Sequence, residues 1–170
     1  DNTAATTFTW DVYLFGSESG ADAAKINLSA LTADQDMSSP DGLWFSKATG
    51  ICWIQTDDSA FTDETNCMLL AAIPGQVGDG GKVTIHNKMM VNASVQTGSQ
   101  DTFISAALGE AKLKRFMVSP KGAEVTGITE ADGGRTLFVN IQHPGELSPP
   151  LSSGKPLESH WPGKQGIGPA

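Results

Sequence analysis

Cysteine, basic side chains and long apolar runs are all scarce in this chain, and each shortage excludes something. Only two cysteines, Cys52 and Cys67, occur in 170 residues. There is no CxxC and no Cys/His spacing of the metal-binding kind, so no zinc site is assigned. Both cysteines fall in predicted strands. A cross-strand disulfide is open to them in an oxidising compartment. Two small buried thiols are the simpler reading, because cysteine is among the residues most often buried. Lys and Arg total 11 against 19 Asp and Glu, with a pI near 4.7. A nucleic-acid-binding face needs the opposite balance. The acidity suits divalent cations, and equally a plain soluble surface. No apolar run approaches the roughly 18 residues of a membrane span. There is no initiating Met and no signal peptide, so the chain opening on Asp1 implies a removed leader or a longer parent.

What is present is a pattern written twice. In Ser39-Pro40-Asp41-Gly42-Leu43-Trp44-Phe45 a carboxylate stands just ahead of a short apolar strand. In Gly122-Ala123-Glu124-Val125-Thr126-Gly127-Ile128 another does the same. Gly50 lies nine residues after Asp41, and Gly133 nine after Glu124. A second strand follows each: Ile51 to Gln55, and Thr136 to Asn140. With a two-residue insertion after Gly133, Trp53 matches Phe138 and Gln55 matches Asn140. The unit recurs 83 residues on, which is read as one propeller blade running longer than the usual length of about 40–50 residues.

Around these hairpins the chain reads as strands and polar connections. Phe8 to Phe15 alternates large apolar residues with others and predicts a strand. Ala30 to Ser39 has no period and reads as loop. Asn66 to Ile73 is a continuous apolar run of strand length, which predicts burial on both faces. Lys112 to Val118 predicts a further strand. Between them, Gln76 to Gly109 is the least legible part: Val83-Thr84-Ile85 is β-like, and Phe103 to Leu108 fits either a strand or a helical turn.

The fold class expected is all-β: a partial β-propeller. Leu43–Phe45, Ile51–Ile54, Asn66–Ile73 and Lys112–Val118 make one full four-stranded blade. Phe8–Phe15 and Val125–Asn140 supply parts of its two neighbours. Residues 1–146 form this blade segment, and 147–170 a Pro/Gly/Ser-rich tail that is extended or disordered unless something pins it. Stacked repeats need neighbours to bury their faces, so the segment is expected to belong to a larger propeller and to unfold with weak cooperativity alone.

The sequence resembles the C-terminal part of the PhoX-type alkaline phosphatases, bacterial phosphomonoesterases exported by the twin-arginine route. The matching runs include Ile26 to Asp34, Ser38 to Trp44, Trp53 to Asp57, Arg115-Phe116, Gly122 to Ile128, Gly134 to Glu146 and Ser159 to Pro162. They appear in the right order over nearly the whole chain. The resemblance implies a β-propeller with an iron and calcium cluster at the mouth of its channel, acting on phosphate monoesters in the periplasm or outside the cell. Hard cations of this kind want carboxylate oxygens.

From the repeat, Asp41 and Glu124 stand ahead of the innermost strands of adjacent blades and are the first candidate metal ligands, against a turn-capping role. Asp57, with Asp58, ends a strand and is a further candidate. His143 is a candidate substrate contact or carboxylate partner. Trp44 and Trp53 read as core residues, His160 as a packing residue, and His86 has no context. The family's iron-binding cysteine, its first acidic ligands and its phosphate-holding Arg and Asn belong to the N-terminal part of the propeller. That part is the expected partner, and without it this segment is expected to be inactive. No catalytic residue is assigned. A non-catalytic extracellular propeller that binds calcium or a protein is the alternative, which fold alone does not separate. A β-sandwich fits less well, because the strands lack even spacing.

Overall fold

The structure, a computed structural model, describes residues 3–61 and 63–163. In chain order its strands are β1 (Pro40–Phe45), β2 (Cys52–Thr56), β3 (Met68–Ala72), β4 (Lys82–Val91), β5 (Ser94–Phe103), β6 (Leu113–Val118), β7 (Glu124–Ala131) and β8 (Thr136–Gln142). A single helical turn, α1 (Gly109–Lys112), precedes β6. The protein is all-β, built from three antiparallel sheets: β1-β2-β3-β6, the β4–β5 hairpin and the β7–β8 hairpin.

The apolar runs explain the first sheet. β2 and β3 are its central strands and are buried almost throughout. Side chains alternate between the two faces of a strand. Cys52, Ile54, Met68, Leu70 and Ala72 therefore pack on one side, with Leu31 and Met37 and against Tyr13 and Leu14. Trp53 and Leu69 pack on the other, with Val125 and against Leu137, Val139 and Ile141 of the second hairpin. The sheet is thus covered on both faces, as the unbroken run from Asn66 to Ile73 requires. The segment over its first face is held by side chains rather than by a helix. Asn27 bonds the N–H and the carbonyl of Leu31 at 2.7 and 2.9 Å, and Gln35 Nε2 donates to the Leu113 carbonyl at 2.8 Å.

The four strands expected from Leu43 to Val118 pair in the expected order, and both hairpins of the repeat form. Gly50 turns the first, with a φ of 75° that favours glycine. Both cysteines are buried free thiols. Among the described residues no helix is long and apolar enough to cross a membrane.

Two expectations fail. Phe8 to Phe15 is not a ladder strand: its only pairing is one parallel bridge, Val12 with Ile104. Among the described residues its backbone meets a strand only at the end of β5, where the Val12 N–H bonds the Phe103 carbonyl at 2.9 Å, and Phe8 and Trp10 stay exposed despite the alternating pattern. The illegible stretch is a long hairpin in which β4 and β5 pair over ten residues each. Ser94 to Gln100 has few apolar residues to mark a strand, and its turn is Asn92-Ala93 rather than a glycine turn. Both turn residues have positive φ, 48° and 62°, as a tight two-residue hairpin turn needs.

The base of this hairpin is closely packed. A Cβ at Gly80 would stand 2.5 Å from the carbonyl oxygen of Ser105 and 2.8 Å from the nitrogen of Ala106, both backbone atoms. Gly80→Ala is expected to destabilise the protein by about 1–3 kcal/mol, read as a lower urea midpoint. Gly98→Ala, in open space on the same hairpin, is the control.

Candidate functional site

The ladder register determines where the acids of the repeat stand. Pro40 pairs with Thr56 and Gly42 with Gln55, so Asp41 is the extra residue of a bulge. In the second hairpin Val125 pairs with Ile141 and Gly127 with Asn140, so the bulge residue is Thr126. The match of Gln55 with Asn140 holds. The match of Asp41 with Glu124 does not: Asp41 corresponds to Thr126, and Glu124 lies two residues earlier. A bulge is invisible in the sequence, and counting forward to a glycine turn misses a change in turn length.

The acids are nevertheless neighbours. A bulge re-aims the side chain it carries. Asp57 follows β2 at the same end of the sheet, its N–H bonded to the Ser39 carbonyl at 3.1 Å. Because β7 packs across the sheet through Val125, Trp53 and Leu69, its first residue, Glu124, is delivered to that end. Glu124 is only 8% exposed. Its pKa is raised above the ordinary 4.5, first by burial, then by the hydrogen bond and charge of Asp57, with a smaller push from Asp41; His143 pulls the other way. Asp57, Asp41 and His143 therefore each bear on Glu124.

His143 closes the group. Its Nε2 lies 3.6 Å from Glu124 Oε1, and its Nδ1 lies 3.6 Å from Glu146 Oε2 and 3.4 Å from the Gly122 carbonyl. Partial burial works against its charge, but the Gly122 carbonyl, Glu146 and Glu124 outweigh it and raise the pKa above 6.5. A cleft of about 330 Å³ opens beside it, lined by Asp57, Asp58, Lys121, His143, Glu146 and Glu158, among others. Four of these are acids, set against Lys121 and His143.

Asp58 is a different case from Asp57. It is buried, and its Oδ1 accepts the Ser38 hydroxyl and the N–H groups of Ala60 and Phe61. That bonding shapes the loop. His86 lies on the β4–β5 hairpin, 2.9 Å from Ser99 Oγ, away from the acids in the chain's pairing. Trp53 is core, and Trp44 is half-buried against the same cluster. Sequence reasoning missed Glu146 and Lys121, which lacked any repeat to single them out.

The donor chemistry fits a hard cation. Two carboxylates, Asp57 and Asp41, bear on a buried third, Glu124, whose burden of like charge a cation would relieve. Among the described residues no three His, Cys, Asp or Glu side chains already stand in a metal-binding geometry. The thiols do not fit: burial pushes Cys52 up to about 11, and burial above all raises Cys67. A thiolate ligand must be deprotonated.

The profile of one protein family, described as alkaline phosphatase PhoX, matches residues 1–145. The chain belongs to the PhoX alkaline phosphatase family. Neither the curated proteins nor the solved structures give a match. PhoX membership suggests a phosphatase as the parent activity.

Proposed function

We propose that this PhoX chain supplies part of the cation-binding face of a metal-dependent phosphomonoesterase. The observation that carries the reading is the convergence of Asp41, Asp57 and Glu124, from two packed sheets, beside His143. In this reading the four-stranded sheet is one propeller blade and β7–β8 is the inner half of the next. The outer edge of β8 is then completed by further strands, and the remaining N-terminal part of the propeller closes the ring. Calcium and iron are the cations the family resemblance implies, and export to the periplasm or beyond is the matching location.

Bound there, cations would supply Lewis-acid charge to the phosphoryl oxygens and help generate an oxygen nucleophile. The chain's own residues do the rest of what is proposed. Asp41, Asp57 and Glu124 hold positive charge at the channel mouth. His143 is oriented by Glu146 and the Gly122 carbonyl. His143, whose Nε2 lies 3.6 Å from Glu124, would donate from that nitrogen to a phosphate oxygen. Non-catalytic calcium binding remains the competing function, and activity of the parent separates the two.

The test exploits pH. Glu124 and His143 both hold their protons more tightly in the folded chain than in the unfolded chain. The associated stability is complete below the ordinary values, 4.5 and 6.5, and is lost as pH rises through the raised folded values. The metal-free protein is therefore expected to lose Tm as pH climbs from about 4.5 to 8. A cation favours ionised Glu124 and reverses its part of this trend. Calcium should raise Tm more at pH 8 than at pH 5, and a calcium effect equal at both pH values would count against the site.

A further inference from the structure

The β4–β5 hairpin has no part in the acidic site. It interrupts the four-stranded sheet between β3 and β6, and leaves from the end of β3 opposite the end that meets Asp57 and Asp58. Among the described residues its strands pair in a ladder only with each other; the β5 edge is met at its base, where the Val12 N–H bonds the Phe103 carbonyl at 2.9 Å, and both outer edges are open from there to the tip. A two-stranded ribbon of this kind has little to hold it in water without something against it.

Its far end carries apolar side chains on both faces, beside the polar Gln96 and Ser94 on one of them. Met89 and Val91 lie on one face by the period of two, and Met90 and Val95, which pair directly, lie on the other. Met89, Met90 and Val95 are 60, 66 and 54% exposed. The turn itself is Asn92-Ala93. Lys88 stands just behind this tip, with His86 and Lys82 farther back. Between Lys82 and Gln100 there is no carboxylate, in a chain of net charge −8.

We propose that this tip is a membrane-surface anchor: Met89, Met90, Val91 and Val95 enter the boundary between headgroups and acyl chains of an anionic bilayer, and Lys88 meets the lipid phosphates. A second copy of the chain would cover one face or one edge of the ribbon and leave the other methionine in water. Lipid surrounds the tip and covers both faces. The tip rises about 7–10 Å over its last two or three residue pairs, at about 3.3 Å per residue. That matches the depth of interfacial insertion, about 5–10 Å. The open strand edges stop it there, because unpaired backbone groups are not tolerated in hydrocarbon.

Charge favours the same occupant. The acidic body would be repelled by an anionic surface at close range. Ten residues of strand span roughly 33 Å, several times the screening length of about 8 Å at physiological salt. The arm holds the body outside the range of that repulsion, and the lipid meets only the acid-free end.

The intact protein is tested by flotation with vesicles of phosphatidylcholine alone and of phosphatidylcholine mixed with phosphatidylglycerol. It is expected to float with the mixed vesicles. The double variant Met89→Ser/Met90→Ser should lose at least about tenfold in partitioning. Lys88→Gln should lose about fivefold and much of the salt dependence. All three side chains are solvent-exposed, so Tm should not move. Val95→Trp gives an independent reading, a blue shift of the added tryptophan's emission on mixed vesicles. Equal partitioning of wild type and the double variant, or no flotation, overturns the proposal. A concentration-dependent dimer that the double variant abolishes, without flotation, overturns it in favour of a second copy.

Discussion

Glu124→Gln is expected to lower kcat/KM of the proposed phosphatase by at least about 100-fold, while making the metal-free protein more stable at pH 8. The two effects have one cause. Glu124 is a buried carboxylate raised in pKa by burial and by Asp57, so its charge opposes folding until a cation compensates it. Glutamine keeps the shape and removes the charge. Tm of the metal-free variant should rise above wild type at pH 8 and match it near pH 4, where Glu124 is protonated in both states. The calcium-dependent rise in Tm should disappear. A variant that retains activity and the calcium response would exclude Glu124 as a ligand. One that loses activity with no gain in metal-free stability would mean a structural role only.

Trp53→Ala should produce the largest loss of stability, about 3–5 kcal/mol. Trp53 is buried between the two packed sheets with Leu69 and Val125, and meets the Phe116 ring edge-on at a centroid distance of 5.0 Å. Its removal leaves a cavity at the contact that carries β7 across the sheet. Urea unfolding should show the loss as a lower midpoint. Because that same contact delivers Glu124 to Asp57, the calcium-dependent rise in Tm should shrink as well. Phe138→Ala removes another large ring, but one on the open face of β8, and should cost no more than about 0.5 kcal/mol. Equal losses for the two variants would mean that the sheets are not held together through Trp53.

The two predictions separate position from chemistry. Trp53 belongs to the apolar cluster between the sheets, so its effect on calcium is expected to arise through the packing of one sheet on another. Glu124 contributes little to that packing, so its effect on calcium arises from charge.

Much of this was legible because local patterns coincide with local structure. The unbroken apolar run at Asn66 to Ile73 implied a strand covered on both faces, and β3 is one. The Gly50 turn, the Gly133-Gly134 turn and the paired hairpins follow from residues adjacent in the chain. Asp41, Asp57, Glu124 and His143 could be singled out by residue type and by their places at strand ends. The β4–β5 arm was not legible, because a ribbon exposed on both faces needs no apolar alternation, and Asn92-Ala93 carries no glycine signal. Phe8 to Phe15 has the alternation of a strand, yet a strand exists only where a neighbour accepts its hydrogen bonds.

The amino-acid sequence by itself determined the β-strand class and the order of the four main strands, since each depends on composition within a few residues. The tertiary structure alone decided that Asp41 occupies a bulge opposite no partner, that Glu124 is two residues out of step with it, and that Glu124 is buried where the charges of Asp57 and Asp41 reach it. Register and sheet packing are long-range properties: one inserted residue turns a side chain to the other face, and only the stacking of β7 on the sheet brings its first carboxylate to the others.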